Sequence, residues 1–231
     1  MDLREWRRQL RVAAAAGNAD SLSLLLAEPP PTECLQETGS ALQGVPGLAD
    51  LVTRTVGELR QRGWVGDEEL ARELEGTAAG GGNGGVGAVP VDLDELGQVL
   101  DGPAGAGAGL LDLETGEVWP YEVLENSRDA GVDDVPEEAD GLRWIEVWSE
   151  GHAGRDLRAF ILTVDDPGLR ERLERSIHGK GAFRRFRSVL ERWPHEASRW
   201  HAFNDDRRLG RARAWVAEAG YRIGSPPTPP A

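Results

Sequence analysis

The sequence predicts an α+β protein, in which a short antiparallel sheet of about three strands is packed by C-terminal helices and preceded by a small helical bundle. Three observations lead there. Apolar residues recur at helical spacing through residues 1–76, alternate with polar ones on both sides of Thr115-Gly116, and return to helical spacing from Leu157 onward.

The first helix is expected from Leu3, Trp6, Leu10, Ala13 and Ala14. Asp20 or Ser21 is expected to cap a second carrying Leu22 and Leu24–Leu26, with the prolines at 29–31 ending it. Leu48, Leu51, Val52, Val56 and Leu59 predict a third helix, stopped at Gly63, and Asp67 is expected to cap a fourth through Leu70 and Leu74. Together these form an accessory module over residues 1–76. Residues 77–89 contain Gly80-Gly81-Gly82-Asn83-Gly84-Gly85, which offers too little side chain for a core and reads as a flexible linker and domain boundary.

The second domain is expected over residues 90–222. Asp92, followed three residues later by Glu95, is a helix-start arrangement for the apolar face of Leu93, Leu96, Val99 and Leu100. Alternation from Leu111 to Trp119 about the Thr-Gly pair predicts a hairpin, an acidic loop is expected over 122–140, and residues 143–148 read as a third strand. Leu157, Phe160, Ile161 and Val164 predict one helix; Asp165-Asp166-Pro167 starts the next, with Leu169, Leu173 and Ile177. Phe183, Phe186, Val189 and Leu190 are expected to face inward from another that Pro194 closes. Asp205 or Asp206 is expected to cap a last helix ending at Gly220. Residues 223–231 are a proline-rich tail, expected to be disordered or extended.

The pieces Val91-Asp92-Leu93, Leu111-Asp112-Leu113-Glu114-Thr115-Gly116-Glu117-Val118, Gly179-Lys180-Gly181-Ala182-Phe183-Arg184-Arg185-Phe186 and the Trp200, Phe203, Trp215 spacing follow in that order. This order resembles a bacterial group catalogued as uncharacterised protein family 0158. The resemblance covers residues 90–222, leaves out 1–76, and rests most on the Gly-Lys-Gly run. It implies a domain and no activity, cofactor or site residue, because the family has no assigned biochemistry.

Composition narrows the function classes. No stretch approaches the ~20 apolar residues of a membrane span. The apolar run at 12–16, after Arg7, Arg8 and Arg11, is shorter than the ~7–15-residue core of an export signal, so no membrane partner and a cytoplasmic location are expected. The single cysteine, Cys34, allows no internal disulfide and argues against a cysteine-built zinc site. The net charge is −14, unevenly spread: residues 77–167 carry 4 basic and 20 acidic side chains, whereas residues 168–213 carry 13 and 6. A locally basic stretch in an acidic chain points to an anionic partner for that stretch alone.

Lys180 is the one lysine among 26 basic residues, and it stands between Gly179 and Gly181. Glycines let a backbone approach a ligand closely, and a compact ammonium beside a helix start suits a phosphate. Gly179, Lys180, Gly181, Arg184, Arg185 and Arg187 are therefore the candidate anion-binding residues. The competing reading is a helix junction, with Gly179 as C-terminal cap and Lys180 as the cation near the last carbonyls. The P-loop pattern Gly-x-x-x-x-Gly-Lys-Ser/Thr does not occur.

No catalytic residue, metal site or cofactor is called for. His152, His178, His195 and His201 lack metal-ligand spacing, and no Gly-x-Ser-x-Gly elbow is present. His152, in Gly151-His152-Ala153-Gly154, is the candidate base if there is one. Eight tryptophans mostly coincide with apolar stripes and are expected in the core; Trp200 or Phe203, if exposed beside the arginines, would suit stacked bases.

Three functions follow, in order. The first is a non-enzymatic binding or regulatory protein whose basic C-terminal helices contact a phosphate-bearing partner, nucleic acid foremost. The second is a protein–protein interaction module, suggested by the glycine linker, acidic loop and proline-rich tail. The third is an enzyme on a small phosphorylated substrate, with Lys180 binding phosphate and His152 as base.

Overall fold

The structure, a computed structural model, describes residues 1–78, 87–102, 107–129, 139, 141–149 and 151–224. In chain order the helices are α1 (Leu3–Ala15), α2 (Ala19–Leu25), α3 (Leu35–Leu42), α4 (Ala49–Arg62), α5 (Asp67–Ala78), α6 (Leu93–Leu100), α7 (Tyr121–Asp129), α8 (Ala153–Leu162), α9 (Pro167–Ser176), α10 (Ala182–Leu190) and α11 (Pro194–Glu218). The strands are β1 (Ala88–Val89), β2 (Gly107–Asp112), β3 (Val118–Pro120), β4 (Trp144–Trp148) and β5 (Arg222–Ile223). The protein is α+β, with a three-stranded antiparallel sheet as expected and a separate two-stranded parallel one.

Contacts divide the chain into two compact units. One is Met1–Gly82 with Ala153–Gly210; the other is Asn83–His152 with Arg211–Ala231. This grouping does not follow the linear order of module, linker and domain, because helices α8 to α10 and most of α11 share a unit with the first 82 residues. The glycine run at 80–85, most of the expected acidic loop and the tail at 225–231 lie outside the described residues.

In the first unit, α1 buries Trp6, Leu10 and Ala13 as its spacing predicts. The cap of α2 is Asn18, whose Oδ1 accepts from the Ser21 amide at 2.9 Å; Asp20 and Ser21 fall inside the first turn instead. Helix α3 was not expected, because it buries the polar Gln36 and Thr38 and so shows no apolar stripe. Gly63 ends α4 in the left-handed conformation (φ 66°) that a side chain resists. Leu10, Leu22, Leu26, Leu42, Leu59, Leu70 and Ala202 form one core. A second gathers Phe160, Leu169, Leu173, Phe186, Leu190, Trp200 and Phe203.

The expected break before a last helix is absent. Helix α11 runs for 25 residues from Pro194, and Asp205 and Asp206 lie within it rather than capping it. Their carboxylates answer to cations from the start of the chain: Arg7 reaches Asp205 at 2.9 Å and Arg62 reaches Asp206 at 2.7 Å. Trp64 meets Phe203 edge-on at 5.1 Å, and Gly66 and Gly210 lie so close that a Cβ on either would strike backbone opposite. Asp67, expected to cap α5, instead accepts from the Trp64 amide at 2.8 Å and from Gln36 Nε2 at 2.9 Å.

In the second unit, Asp92 caps α6 by accepting from the amides of Asp94 at 2.7 Å and Glu95 at 3.2 Å. The hairpin forms with Leu111 opposite Val118, Gly116 turning at φ 77°, and β4 pairing the other edge of β2. The start of the expected acidic loop is helix α7. Ala88 pairs with Arg222 and Val89 with Ile223, so the end of the expected linker and the start of the expected tail are strands. Val89, Val91, Leu96, Leu111, Val147, Ala212 and Val216 form the core, while Trp148, expected inside, is 52% exposed. Among the described residues no helix is long and apolar enough to cross a membrane.

Candidate anion-binding site

Helix α9 begins at Asp166, whose Oδ1 accepts from the Leu169 amide at 2.6 Å, with Pro167 in the first turn as expected. Ile177 closes it. Gly179 (φ 73°) and Gly181 (φ 77°) then take the left-handed conformation, and α10 starts at Ala182 without a side-chain cap. Both glycines are thus required by the turn itself.

Arg185 is built into that turn. Its Nε donates to the Ser176 carbonyl at 3.1 Å, Nη1 to that of Lys180 at 2.6 Å, and Nη2 to that of His178. A guanidinium on the carbonyls that follow a helix satisfies acceptors the helix leaves orphaned. The sequence placed Arg185 among the anion contacts, and its three carbonyl partners point to a structural task; nothing in the run of residues signalled that difference.

The remaining cations of the run are differently placed. Lys180, Arg184 and Arg187 are exposed, and among the described residues no hydrogen bond or ion pair holds them. Arg172 and Arg192 are likewise exposed and unheld, and Arg175 stands 4.0 Å from Glu171. By contrast, Arg199 is held by Glu33 at 2.7 Å and Glu196 at 2.9 Å, Arg207 by Asp156 at 2.6 Å, and Arg208 by Asp205 at 3.3 Å. In the second unit Arg211 meets Asp101 at 2.6 Å, and Arg213 is buried. Among the described residues the basic excess of residues 168–213 therefore separates into a neutralised part on α11, two arginines bonded to carbonyls (Arg170 to Val164, and Arg185), and the unheld cations Arg172, Lys180, Arg184, Arg187 and Arg192.

The aromatic residues part in the same way. Trp200 and Phe203, the expected stacking surfaces, are 3% and 1% exposed in the second core of the first unit. Phe183, expected inside, is 46% exposed, touching Trp200 edge-on at 6.5 Å. The free face of α10 thus presents Phe183, Arg184, Arg187 and Ser188 in adjoining positions.

Cys34 is buried, and burial pushes its thiol above the ordinary range, which leaves no thiolate at neutral pH. Among the described residues no group of three His, Cys, Asp or Glu is placed to hold a metal ion. His152 belongs to the second unit and Lys180 to the first. An open hollow in the second unit is lined by Ile145, Glu146, Trp215, Glu218 and Tyr221, and Glu146 there accepts from the Tyr121 hydroxyl at 3.1 Å.

Comparison with family models, with curated proteins and with solved structures finds no match to the chain.

Proposed function

We propose that this protein is a non-enzymatic cytoplasmic binding protein that holds nucleic acid through the outer face of α9 and α10, with Arg172, Lys180, Arg184, Arg187 and Arg192 as the contacting cations. One observation carries the reading: these cations stand exposed and, among the described residues, unpaired, while the arginines of α11 are held by carboxylates or buried. Residues 167–192 hold eight basic and three acidic side chains, so the face keeps a local positive field although the chain carries −14 overall. The resemblance of residues 90–222 to family 0158 assigns no chemistry and leaves the reading to stand on charge and exposure.

The test is a titration of the full chain into labelled mixed-sequence nucleic acid at about 50 and about 200 mM salt. Contact with three or more phosphates means binding that weakens steeply as salt rises, because each neutralised phosphate releases condensed counterion. Absence of binding at the lower salt contradicts the proposal, and a protein partner then becomes the leading reading.

A further inference from the structure

Resting on the reading above, we infer that α9, its turn and α10 act as a helix–turn–helix that seats α10 in the major groove of duplex DNA. Phe183, Arg184, Arg187 and Ser188 would then meet base edges, while Arg172, Lys180 and Arg192 meet phosphates.

The first support is architectural. Two helices of ten and nine residues are joined by residues 177–181, and both bury their inner faces in the core that Phe160 of α8 also enters. A helix that reads a groove must be held at a fixed angle by its neighbour. Here Gly179 and Gly181 set the turn, and Arg185 ties two of its carbonyls, those of His178 and Lys180, and that of Ser176 at the end of α9 to α10. The turn is therefore fixed by bonds that leave the outer face of α10 untouched.

The second is the chemistry of that face. Positions 183, 184, 187 and 188 form a stripe over the first two turns, the part of such a helix that reaches base edges. A guanidinium can bond both O6 and N7 of guanine, an aromatic ring can pack on the thymine methyl, and a hydroxyl serves either donor or acceptor. No carboxylate interrupts the stripe before Glu191, at the far end of the helix. At ~1.5 Å per residue the helix is about 13 Å long, comparable with the ~12 Å groove.

The third selects among nucleic acids. Sequence-tolerant binding of single strands relies on several aromatic platforms, and burial of Trp200 and Phe203 leaves Phe183 alone on this face. The deep, narrow major groove of duplex RNA does not admit side chains. Duplex DNA is the form that an exposed, cationic helix of this length can enter.

The experiment uses the full chain against a random-sequence DNA duplex, its separated strands, and an RNA duplex of matching sequence, followed by selection of bound duplexes from the random pool. Duplex DNA is expected to bind about tenfold or more tightly than either alternative, and selection to return a short consensus. Arg184→Ala or Arg187→Ala should relax the preference at one base pair by about tenfold, whereas Lys180→Ala should weaken all duplexes alike and lower the salt slope by about one. These side chains are exposed, so circular dichroism should show all three variants folded. Equal binding to single strands, or no consensus, overturns the groove assignment and leaves nucleic-acid binding in place. No binding to any of the three at low salt overturns both.

Discussion

Arg62 and Asp206 form an ion pair of 2.7 Å with both side chains almost wholly removed from solvent, at 5% and 1% exposure. The same guanidinium meets Asp67 at 2.5 Å, and Asp206 also accepts from the Gln36 amide at 2.7 Å. One cation therefore serves two buried carboxylates, from α5 and α11, at the junction of the first helices with the last.

Arg62→Met should destabilise the protein by about 3–5 kcal/mol, because it strands the buried Asp67 without its counter-charge and removes the cation that Asp206 packs against. The midpoint of urea unfolding near neutral pH reads this directly. A loss below about 1 kcal/mol, the range of exposed pairs, would contradict the arrangement.

The pair also sets a pH dependence. Burial raises the Asp206 carboxyl from 3.8 to about 7, outweighing the attraction of Arg62 and the Gln36 hydrogen bond, while Asp67 adds repulsion. Between about pH 4 and 7 the folded state thus keeps a proton that the unfolded chain releases. The stability contribution is full below the unfolded pKa and is lost as pH rises through that window. Asp206→Asn keeps an acceptor for the Gln36 amide and removes the titration. Relative to the natural protein, the variant should gain stability between about pH 5 and about pH 8 in urea unfolding; a constant difference would show that Asp206 does not titrate there.

Gly210→Ala should cost about 1–3 kcal/mol by overpacking, since its Cβ would strike the Val65 carbonyl. A fragment of residues 90–222 lacks Glu33, Arg62 and Leu70, so it should show no cooperative thermal transition for α8 to α11. Independent folding of those helices in the fragment would contradict the shared unit.

Gly181→Ala places a side chain at φ 77° and 3.3 Å from Arg185 Nη1. The left-handed backbone alone costs about 1–2 kcal/mol. Faster amide exchange at residues 182–186, with the rest of the chain unchanged, is the expected signature; unchanged exchange would mean that the turn does not depend on this glycine.

How much was legible follows from how local each signal is. Asp92, Asp166, Gly63 and Gly116 act on backbone within three or four residues of themselves, and their roles were readable. Asp205 and Asp206 carry the same cap-like spelling, but their partners are Arg7 and Arg62, which no local pattern reveals. Helix α3 escaped because its buried face holds Gln36 and Thr38. At the candidate site, the sequence marked the basic run and the two glycines. It did not separate Arg185, turned onto carbonyls, from Arg184 and Arg187, turned outward, since that division depends on where α10 packs.

The most direct test of the central claim compares two variants of equal charge. One carries Arg172→Ala, Lys180→Ala and Arg192→Ala; the other carries Arg4→Ala, Arg8→Ala and Arg72→Ala, three exposed arginines of α1 and α5. Duplex DNA affinity is measured across salt concentrations. The account predicts that the first triple variant loses about three units of log–log salt slope while the second keeps the slope of the natural protein. Equal losses in both, or none in the first, would show that the face of α9 and α10 is not where the phosphates lie.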